Sequence, residues 1–278
     1  MFYEGSEKRL EITTTINLLA LENQFWHEMV KQAGAYIISS IENPQLKAFL
    51  LSESSLFVWK NRLLLITCGE THLIKASLFF QQKVARKEIN SLLFQRHQAH
   101  FPERQKSSFQ QDSLLLQKRL KGDSHHWHED YCGDIFLFGN NQQPKATKNI
   151  LMLHGLQGDF FEKLQQGKVQ AETITKQLQL NQHFNDFHID HFSFDPKGYS
   201  VNAIDGEHYF TVHITPEKLT SYLSFESNLL IADIEHFKQN LMHLLQPQRG
   251  YLMTFSPSQE RLEIATEVIV DSTVIPAY

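Results

Sequence analysis

The chain has 278 residues, of which 41% are apolar and 21% are charged, a globular composition with enough length for one large or two ordinary domains. Its formal net charge of −5 argues against nucleic acid as a partner attracted by bulk electrostatics. Two cysteines, Cys68 and Cys132, are too few for a disulfide framework, so we expect a reducing, cytoplasmic location.

No membrane association is expected from the sequence. The segment Met1–Lys8 lacks the basic residues and apolar core of a signal peptide. No apolar run approaches the roughly 18 residues that a helix needs to span a bilayer.

The first half of the chain predicts a mixture of strands and helices. Alternating β-branched residues indicate strands, whereas Leu21, Phe25 and Met29 recur at helical spacing before a stop at Gly34. The predicted strands are 10–15, 35–41, 49–59 and 62–67; the predicted helices are 18–31, 71–95 and 113–121; a surface loop is predicted over 102–111.

The second half repeats this mixture. The predicted strands are 134–138, 149–153, 187–194, 199–204, 208–214, 220–225, 251–255 and 262–270, and the predicted helices are 170–180 and 234–245. Asp205-Gly206 is a hairpin signal. The pattern favours an α+β fold with sheets packed face to face and helices outside. A faint echo between 51–55 and 223–227 suggests an internal duplication.

One polar stretch stands out within the predicted β-structure. Ser52-Glu53-Ser54-Ser55 lies between the apolar flanks 47–50 and 56–59. Polar groups in or beside a buried sheet destabilise the fold unless they are hydrogen-bonded. From these residues alone, two interpretations stay open: an ordinary serine-rich bend, or a functional site.

Several generic motifs fail. There is no glycine-rich dinucleotide fingerprint and no P-loop. Gly198–Asn202 resembles a nucleophile elbow, but Asn202 stands where the second glycine belongs. The histidine-rich segment 125–129 with Cys132 fits no standard zinc spacing, so we interpret it as a polar loop and expect no metal. His154 is interpreted as a histidine at a strand end.

Four further stretches become informative in combination with 51–58. They are 2–8, 66–69, 194–202 and 209–226. In this order the five motifs resemble the eukaryotic-type S-adenosylmethionine decarboxylase proenzymes, a pyruvoyl-dependent family. The resemblance covers the chain from Phe2 to at least Asn228 and is weaker between about Glu88 and Leu180.

The resemblance implies a fold and a processing event. The fold would be a four-layer α/β/β/α sandwich, a single domain over 1–278 built from two similar halves of about 1–125 and 126–278. Family members cleave themselves at the Glu-Ser bond of this motif, here Glu53–Ser54. The products would be two partner chains, 1–53 and 54–278.

The resemblance also implies roles in cleavage. The Ser54 hydroxyl would attack the carbonyl of Glu53 and convert the amide into an ester. Ser200 would hydrogen-bond that carbonyl, and His213 would remove the Cα proton of Ser54 to eliminate the ester. Hydrolysis would leave a pyruvoyl group at position 54.

The pyruvoyl ketone would form a Schiff base with the substrate amine and act as an electron sink, so no pyridoxal phosphate is needed. Cys68 matches the family's proton donor. Glu4 and Glu7 match N-terminal carboxylates tied to activity and processing.

Substrate recognition follows from the same resemblance, and the implied substrate is S-adenosylmethionine. Tyr3 and Phe194 match two aromatic residues that sandwich adenine. Leu51 and Glu53 lie where family members contact the adenine. Glu217 matches the carboxylate that binds the ribose hydroxyls.

Departures from the family pattern concern a charged network that binds the activator putrescine in animal members. Ile66 replaces a lysine, and Lys145 and Asn149 stand where two acids are expected, whereas Glu11 and Glu226 remain. Lys145 is a candidate for the positive charge that putrescine brings elsewhere. We therefore predict weak or absent activation by putrescine. Lys197 replaces a family cysteine with no sequence-level explanation.

Alternatives to S-adenosylmethionine decarboxylation remain at this point. They are a pyruvoyl-dependent decarboxylase of another amino acid, such as ornithine or arginine, a non-catalytic regulatory paralogue, and a serine hydrolase. The adenosine-pocket residues favour the first reading over another amino acid. Retention of the Glu53–Ser54 pair and of Cys68 argues against the paralogue. Family members include both monomers and dimers of the processed pair, so a homodimer is one of two expected oligomeric states.

Overall fold

The structure is a computed structural model and describes residues 7–97, 102–126, 133–139, 147–167, 169–195, 197–218, 220–257 and 262–272. The chain divides into two compact units, Met1–Gln143 and Pro144–Tyr278, here called unit 1 and unit 2. No helix in the described ranges is long and apolar enough to cross a membrane.

Unit 1 contains eight described strands and three α-helices. The strands are β1 (Lys8–Thr14), β2 (Ile37–Glu42), β3 (Leu46–Leu51), β4 (Ser54–Trp59), β5 (Arg62–Thr67), β6 (Ile89–Arg96), β7 (Asp123–His126) and β8 (Asp134–Gly139). The helices are α1 (Asn23–Ala33), α2 (Leu73–Lys83) and α3 (Phe109–Gln117), with short 3-10 turns at Leu18–Ala20, Arg86–Glu88 and Pro102–Arg104.

The strands of unit 1 form one antiparallel sheet in the order β2-β3-β4-β5-β1-β6-β8-β7. Period-two alternation turns Leu10 and Ile12 of β1 toward the helices, where they join Trp26 of α1 and Phe80 of α2 in a fully buried apolar core. The first strand of the unit therefore lies in the interior of the sheet, between β5 and β6.

Helix ends in unit 1 follow local chemistry. Gly34 ends α1 with a left-handed backbone (φ +89°), as the sequence predicts, because glycine adopts this conformation without a Cβ clash. Ser108 and Gln111 form a capping box at the start of α3. This helix thus begins inside the segment predicted to be a loop.

Two sequence predictions in unit 1 are wrong in detail. The predicted helix 71–95 ends at Lys83, and its last part forms β6, because Val84 turns into extended backbone. The segment predicted as a strand over 49–59 is a hairpin, in which β3 and β4 join through the two-residue turn Ser52–Glu53.

Unit 2 contains seven described strands and four α-helices. The strands are β9 (Lys148–His154), β10 (His188–Ser193), β11 (Tyr199–Asp205), β12 (His208–Thr215), β13 (Tyr222–Ser227), β14 (Arg249–Pro257) and β15 (Leu262–Asp271). The helices are α4 (Asp159–Gln166), α5 (Ala171–Gln177), α6 (Leu180–His183) and α7 (Ile231–Leu245).

The strands of unit 2 form an antiparallel sheet in the order β10-β11-β12-β13-β9-β14-β15. Its apolar core joins Val201 and Val212 of the sheet to Phe237 and Leu241 of α7. Two antiparallel sheets with their own helices confirm the predicted α+β class. Helix α4 is an element that the sequence reading missed.

The two sheets share a strand order. In each unit the second to fifth strands run in sequence, and the first strand lies between the fifth and the sixth. The predicted duplication stays a prediction that this order supports. The echo between 51–55 and 223–227 does not mark equivalent positions, because 51–55 spans the turn between the third and fourth strands of unit 1, whereas 223–227 lies in the fifth strand of unit 2.

Candidate active site

The Glu53–Ser54 bond lies at the junction between a tight turn and a strand. Leu51 ends β3 and pairs with Ser54, the first residue of β4, so Ser52 and Glu53 form the whole turn. Ser54 has φ +129°, a value that side chains rarely tolerate because Cβ meets the neighbouring backbone. Such a backbone costs about 1–3 kcal/mol. The strained residue is the predicted nucleophile.

The carbonyl of Glu53 is held by Cys68. The Cys68 N–H donates to Glu53 O at 3.1 Å, and the Cys68 thiol lies 3.5 Å from the same oxygen. Cys68 directly follows β5, whose last residue Thr67 pairs with Ser54. A fixed backbone donor on a carbonyl stabilises the negative charge that develops when the carbonyl is attacked.

The turn itself is pinned to the segment after α1. Ser52 N–H donates to Tyr36 O at 2.9 Å, and Tyr36 N–H donates to Ser52 Oγ at 3.1 Å. The Glu53 side chain is half-buried, and this burial raises its pKa, an effect that the cations Lys8 and Lys106 oppose. The structure therefore brings Leu51, Glu53, Ser54 and Cys68 together in unit 1.

Glu7, the other predicted carboxylate in the described part of unit 1, is buried and forms an ion pair with Arg9. Arg9 is fully buried, and its guanidinium lies 2.9 Å from Nε2 of His97. Glu7 thus holds a buried cation in place. Tyr3 and Glu4 lie outside the described residues.

Unit 2 brings Ser200 and His213 together across β11 and β12. These residues pair in register, and Ser200 Oγ lies 2.8 Å from His213 Nδ1. Nε2 of His213 lies 2.9 Å from Thr211 Oγ1, which also lies 2.9 Å from the carbonyl oxygen of Val201.

These contacts assign the protons. A carbonyl only accepts, so the single hydroxyl hydrogen of Thr211 is directed to Val201 O. The Thr211 oxygen then accepts from Nε2–H of His213, which leaves Nδ1 as the basic nitrogen facing Ser200. The lone pair of the His213 ring therefore lies on Nδ1, and Thr211 fixes this tautomer.

The two other predicted substrate residues of unit 2 lie in loops connected to α4. Phe194 packs edge-on against Phe192, with ring centroids 5.0 Å apart. Glu217 is buried and accepts a hydrogen bond from the Thr220 hydroxyl. The side-chain amide of Gln165, near the end of α4, donates to the Glu217 carbonyl oxygen at 3.3 Å.

Gln165 is also the hydrogen-bond partner of Lys197, the residue that replaces a family cysteine. The Lys197 ammonium donates to the carbonyl oxygen of Gln165 at 3.5 Å. A cation at the C-terminal end of a helix is favourable, because the last carbonyls carry partial negative charge. The segments that contain Phe194 and Glu217 are therefore both tied to α4.

Three described residues at positions of the family's charged network, two retained acids and one departure, have partners within their own unit. Glu11 lies 3.7 Å from Arg62 in an ion pair, and Glu226 accepts a hydrogen bond from the Tyr209 hydroxyl at 2.9 Å. Asn149 is fully buried, with its amide nitrogen 2.7 Å from Leu229 O. Lys145 lies outside the described residues.

The rejected motifs also have a place in the fold. Asn202 lies inside β11 rather than at a strand-turn-helix corner, which excludes a nucleophile elbow there. His154 ends β9, as predicted, and stacks on Tyr251 with ring centroids 5.8 Å apart. Residues 127–132 lie outside the described residues, and the side chains of 125 and 126 are not described either.

The sequence reading missed three side chains that organise the site: Lys8, Thr211 and Gln165. Lys8 and Thr211 lie inside the motifs 2–8 and 209–226 themselves, and both are buried. From the sequence alone, a lysine in a strand is expected to be solvated, and a threonine there is expected to be an ordinary strand residue. Only their hydrogen-bond partners, which are distant in sequence, show what they hold.

Comparison with known proteins identifies the family. The family model for adenosylmethionine decarboxylase matches residues 1–274. The S-adenosylmethionine decarboxylase proenzyme of Dictyostelium discoideum is 29% identical over an alignment of 278 positions, which covers 89% of this chain and 73% of the relative. That of Trypanosoma cruzi is 28% identical over 91% of this chain and 75% of the relative, and that of Drosophila melanogaster is 26% identical over 92% and 83%.

The fold has a known counterpart. The crystal structure of the Trypanosoma brucei AdoMetDC-delta26 monomer matches with a TM-score of 0.58 and 23% identity, over 72% of this chain and 79% of that chain. At this identity the match shows a shared fold. Since the family model covers nearly the whole sequence, the chain belongs to the adenosylmethionine decarboxylase family.

Proposed function

We propose that the chain is a proenzyme that cleaves itself between Glu53 and Ser54 and then decarboxylates S-adenosylmethionine, supplying the decarboxylated product for spermidine and spermine synthesis. The observation that carries the proposal is the geometry of this bond. Ser54 has a strained backbone, and the carbonyl before it already binds the N–H and the thiol of Cys68.

Self-cleavage begins at the hydroxyl of Ser54. Its oxygen attacks the carbonyl carbon of Glu53, the Cys68 N–H stabilises the oxyanion, and the C–N bond breaks as the nitrogen takes up the proton. The amide has become an ester. We propose that the Ser200 hydroxyl turns its single hydrogen from Nδ1 of His213 to this carbonyl, which leaves the lone pair of Nδ1 free for the second step.

The second step belongs to His213. We propose that Nδ1 removes the Cα proton of Ser54, the electron pair forms a double bond to Cβ, and the ester oxygen leaves as the carboxylate of Glu53. Addition of water then releases ammonia and leaves a pyruvoyl group at position 54. The products are the chains 1–53 and 54–278.

The residues around position 54 fit this group, since it forms in place from Ser54 itself. When formed, it supplies a ketone that binds the substrate amine and accepts the electrons released with carbon dioxide, so the reaction calls for neither metal nor pyridoxal phosphate. Cys68 donates a proton from its thiol. Glu217 and Phe194, with Tyr3, Leu51 and Glu53, are proposed to bind the adenosine part of the substrate, and Glu4 and Glu7 to support processing and activity.

Intact-mass measurement of the purified protein tests processing. We expect two chains, 1–53 and 54–278, with the N-terminus of the larger one blocked to sequencing. A single chain after prolonged incubation would contradict the proposal. Carbon dioxide release from S-adenosylmethionine, compared with ornithine and arginine, then tests the substrate, and release from ornithine or arginine alone would favour the alternative.

Activation by putrescine is expected to be weak or absent. Glu11 already has Arg62 as its cation, Glu226 has the Tyr209 hydroxyl, and Asn149 is neutral, so a diamine finds no set of unsatisfied carboxylates among these three. Turnover with and without low-millimolar putrescine checks this expectation. A several-fold rise would show that the ion pairs do not replace the activator.

We further propose a reducing, cytoplasmic location, because Cys68, to whose thiol we assign a chemical role, is buried and is in no disulfide. A homodimer of processed pairs stays a prediction, which sedimentation analysis tests. The Trypanosoma brucei structure is described as a monomer.

A further inference from the structure

Lys8 is a buried lysine whose ammonium group forms all its hydrogen bonds with one loop. It is the first residue of β1 and is 1% exposed. The ammonium donates to Gly69 O at 2.7 Å and to Thr71 O at 3.0 Å, and lies 3.4 Å from Thr71 Oγ1. An ammonium has three hydrogens, so this single loop, residues 68–71, accounts for its hydrogen-bonding capacity.

The same loop carries Cys68 and is tied together at its base. Thr71 Oγ1 lies 2.8 Å from Cys68 O and 2.9 Å from Thr67 Oγ1. Gly69 has φ +65°, a turn that brings its carbonyl back to Lys8. Because the Cys68 N–H and thiol both contact Glu53 O, any shift of this loop moves the thiol relative to the Glu53–Ser54 bond.

Burial at this position imposes a desolvation cost on the charged ammonium of Lys8. The pKa of Lys8 is lowered to about 8, chiefly by burial and also by Arg96, against the opposing effects of Cys68, Asp112 and Glu53. A neutral donor could hold two carbonyls without this desolvation cost. A cation adds something that a neutral donor lacks, namely a positive potential at the neighbouring thiol, which makes it a stronger acid.

We propose that Lys8 is a positioning residue for Cys68, which fixes the 68–71 loop through its carbonyls and keeps the thiol acidic through its charge. This inference rests on the proposed function, because Lys8 acts only through Cys68, to which the proposed function assigns a chemical role. The groups that face Lys8 are Arg96 on β6, Asp112 on α3, Glu53 in the turn, and His72 just before α2, and all of them enter the pH dependence.

The test separates this proposal from the function. All measurements of the thiol use a Ser54→Ala background, which retains the chain uncleaved, so no result depends on decarboxylation. The ultraviolet absorbance of the Cys68 thiolate is titrated against pH, as the difference from the same protein with Cys68→Ser. The variants are Lys8→Met, Lys8→Gln and Lys8→Arg, and Lys83→Met on the exposed side of α2 is the matched control.

We expect Lys8→Met and Lys8→Gln to raise the thiol pKa by about one unit, so that the thiolate fraction near neutral pH falls about tenfold. Lys8→Arg keeps the charge and restores most of the effect, and Lys83→Met has none. In the cleavable protein, the two neutral variants slow self-cleavage about tenfold.

An unchanged thiol titration in a folded neutral variant overturns the proposal, even if cleavage is slow, because a merely structural role would not involve the thiol. If near-UV circular dichroism shows that both neutral variants are unfolded, the Ser54→Ala protein that retains Lys8 provides the test. Its thiolate titration must then show a second inflection as Lys8 loses its proton, and a single inflection contradicts the proposal.

Discussion

Ser54→Gly and Ser54→Ala are both expected to abolish self-cleavage and decarboxylation, and the glycine variant is expected to be the more stable of the two. Neither variant has a nucleophilic oxygen at position 54. Alanine retains the strain at φ +129°, about 1–3 kcal/mol. Glycine relieves it but loses about 0.5–1 kcal/mol through greater freedom of the unfolded chain.

Urea unfolding of the two uncleaved proteins measures this difference, for which we expect about 1 kcal/mol in favour of glycine. Ser40→Ala, which removes an exposed hydroxyl on the neighbouring strand β2, is the matched control and should still be cleaved. Equal stability of the two position-54 variants, or a more stable alanine variant, would show that the backbone at the cleavage site stores no strain.

Thr211→Val is expected to arrest processing at the ester. Valine has nearly the same shape but offers no oxygen to Nε2–H of His213, so the proton is free to move to Nδ1, which then lacks the lone pair required for the Cα proton of Ser54. We expect elimination to slow by about 10²–10⁴-fold, the usual contribution of a well-placed base. The ester should accumulate.

Hydroxylamine reveals the ester, because it splits an ester at neutral pH but leaves the peptide bond intact. Thr211→Ser retains the hydroxyl and should restore processing. Thr215→Val is the matched control on the same strand and face, since Thr215 Oγ1 is buried and makes no hydrogen bond within the described part of the chain. Normal processing of Thr211→Val would contradict the assigned tautomer.

The sequence predicted strands best where one face alone packs on apolar residues. The hairpin of β11 and β12 was predicted within a residue, because its turn has a clear signal at Asp205-Gly206. Strand β6 was mistaken for the end of a helix. Leu92, Leu93 and Phe94 are consecutive and all buried, so no alternation separates a strand from a helix.

The candidate site likewise contains residues that the sequence could indicate and residues that it could not. Ser54, Cys68, Ser200 and His213 could be proposed from the sequence because each lies in one of the motifs that occur in a fixed order. Lys8 could not, since a lysine at the start of a strand is normally solvated, and its burial depends on carbonyls 61 and 63 residues away. Long-range acceptors of this kind leave no local pattern in the sequence.

The order of strands in unit 1 gives the proposed cleavage a thermodynamic consequence. The fragment 1–53 supplies β1, β2 and β3, and the remainder supplies the other strands, so β1 of the small fragment lies between β5 and β6 of the large one. Dissociation therefore requires removal of an interior strand. Unfolding of the cut protein becomes bimolecular, so its melting temperature should rise with protein concentration, whereas that of the uncut chain should not.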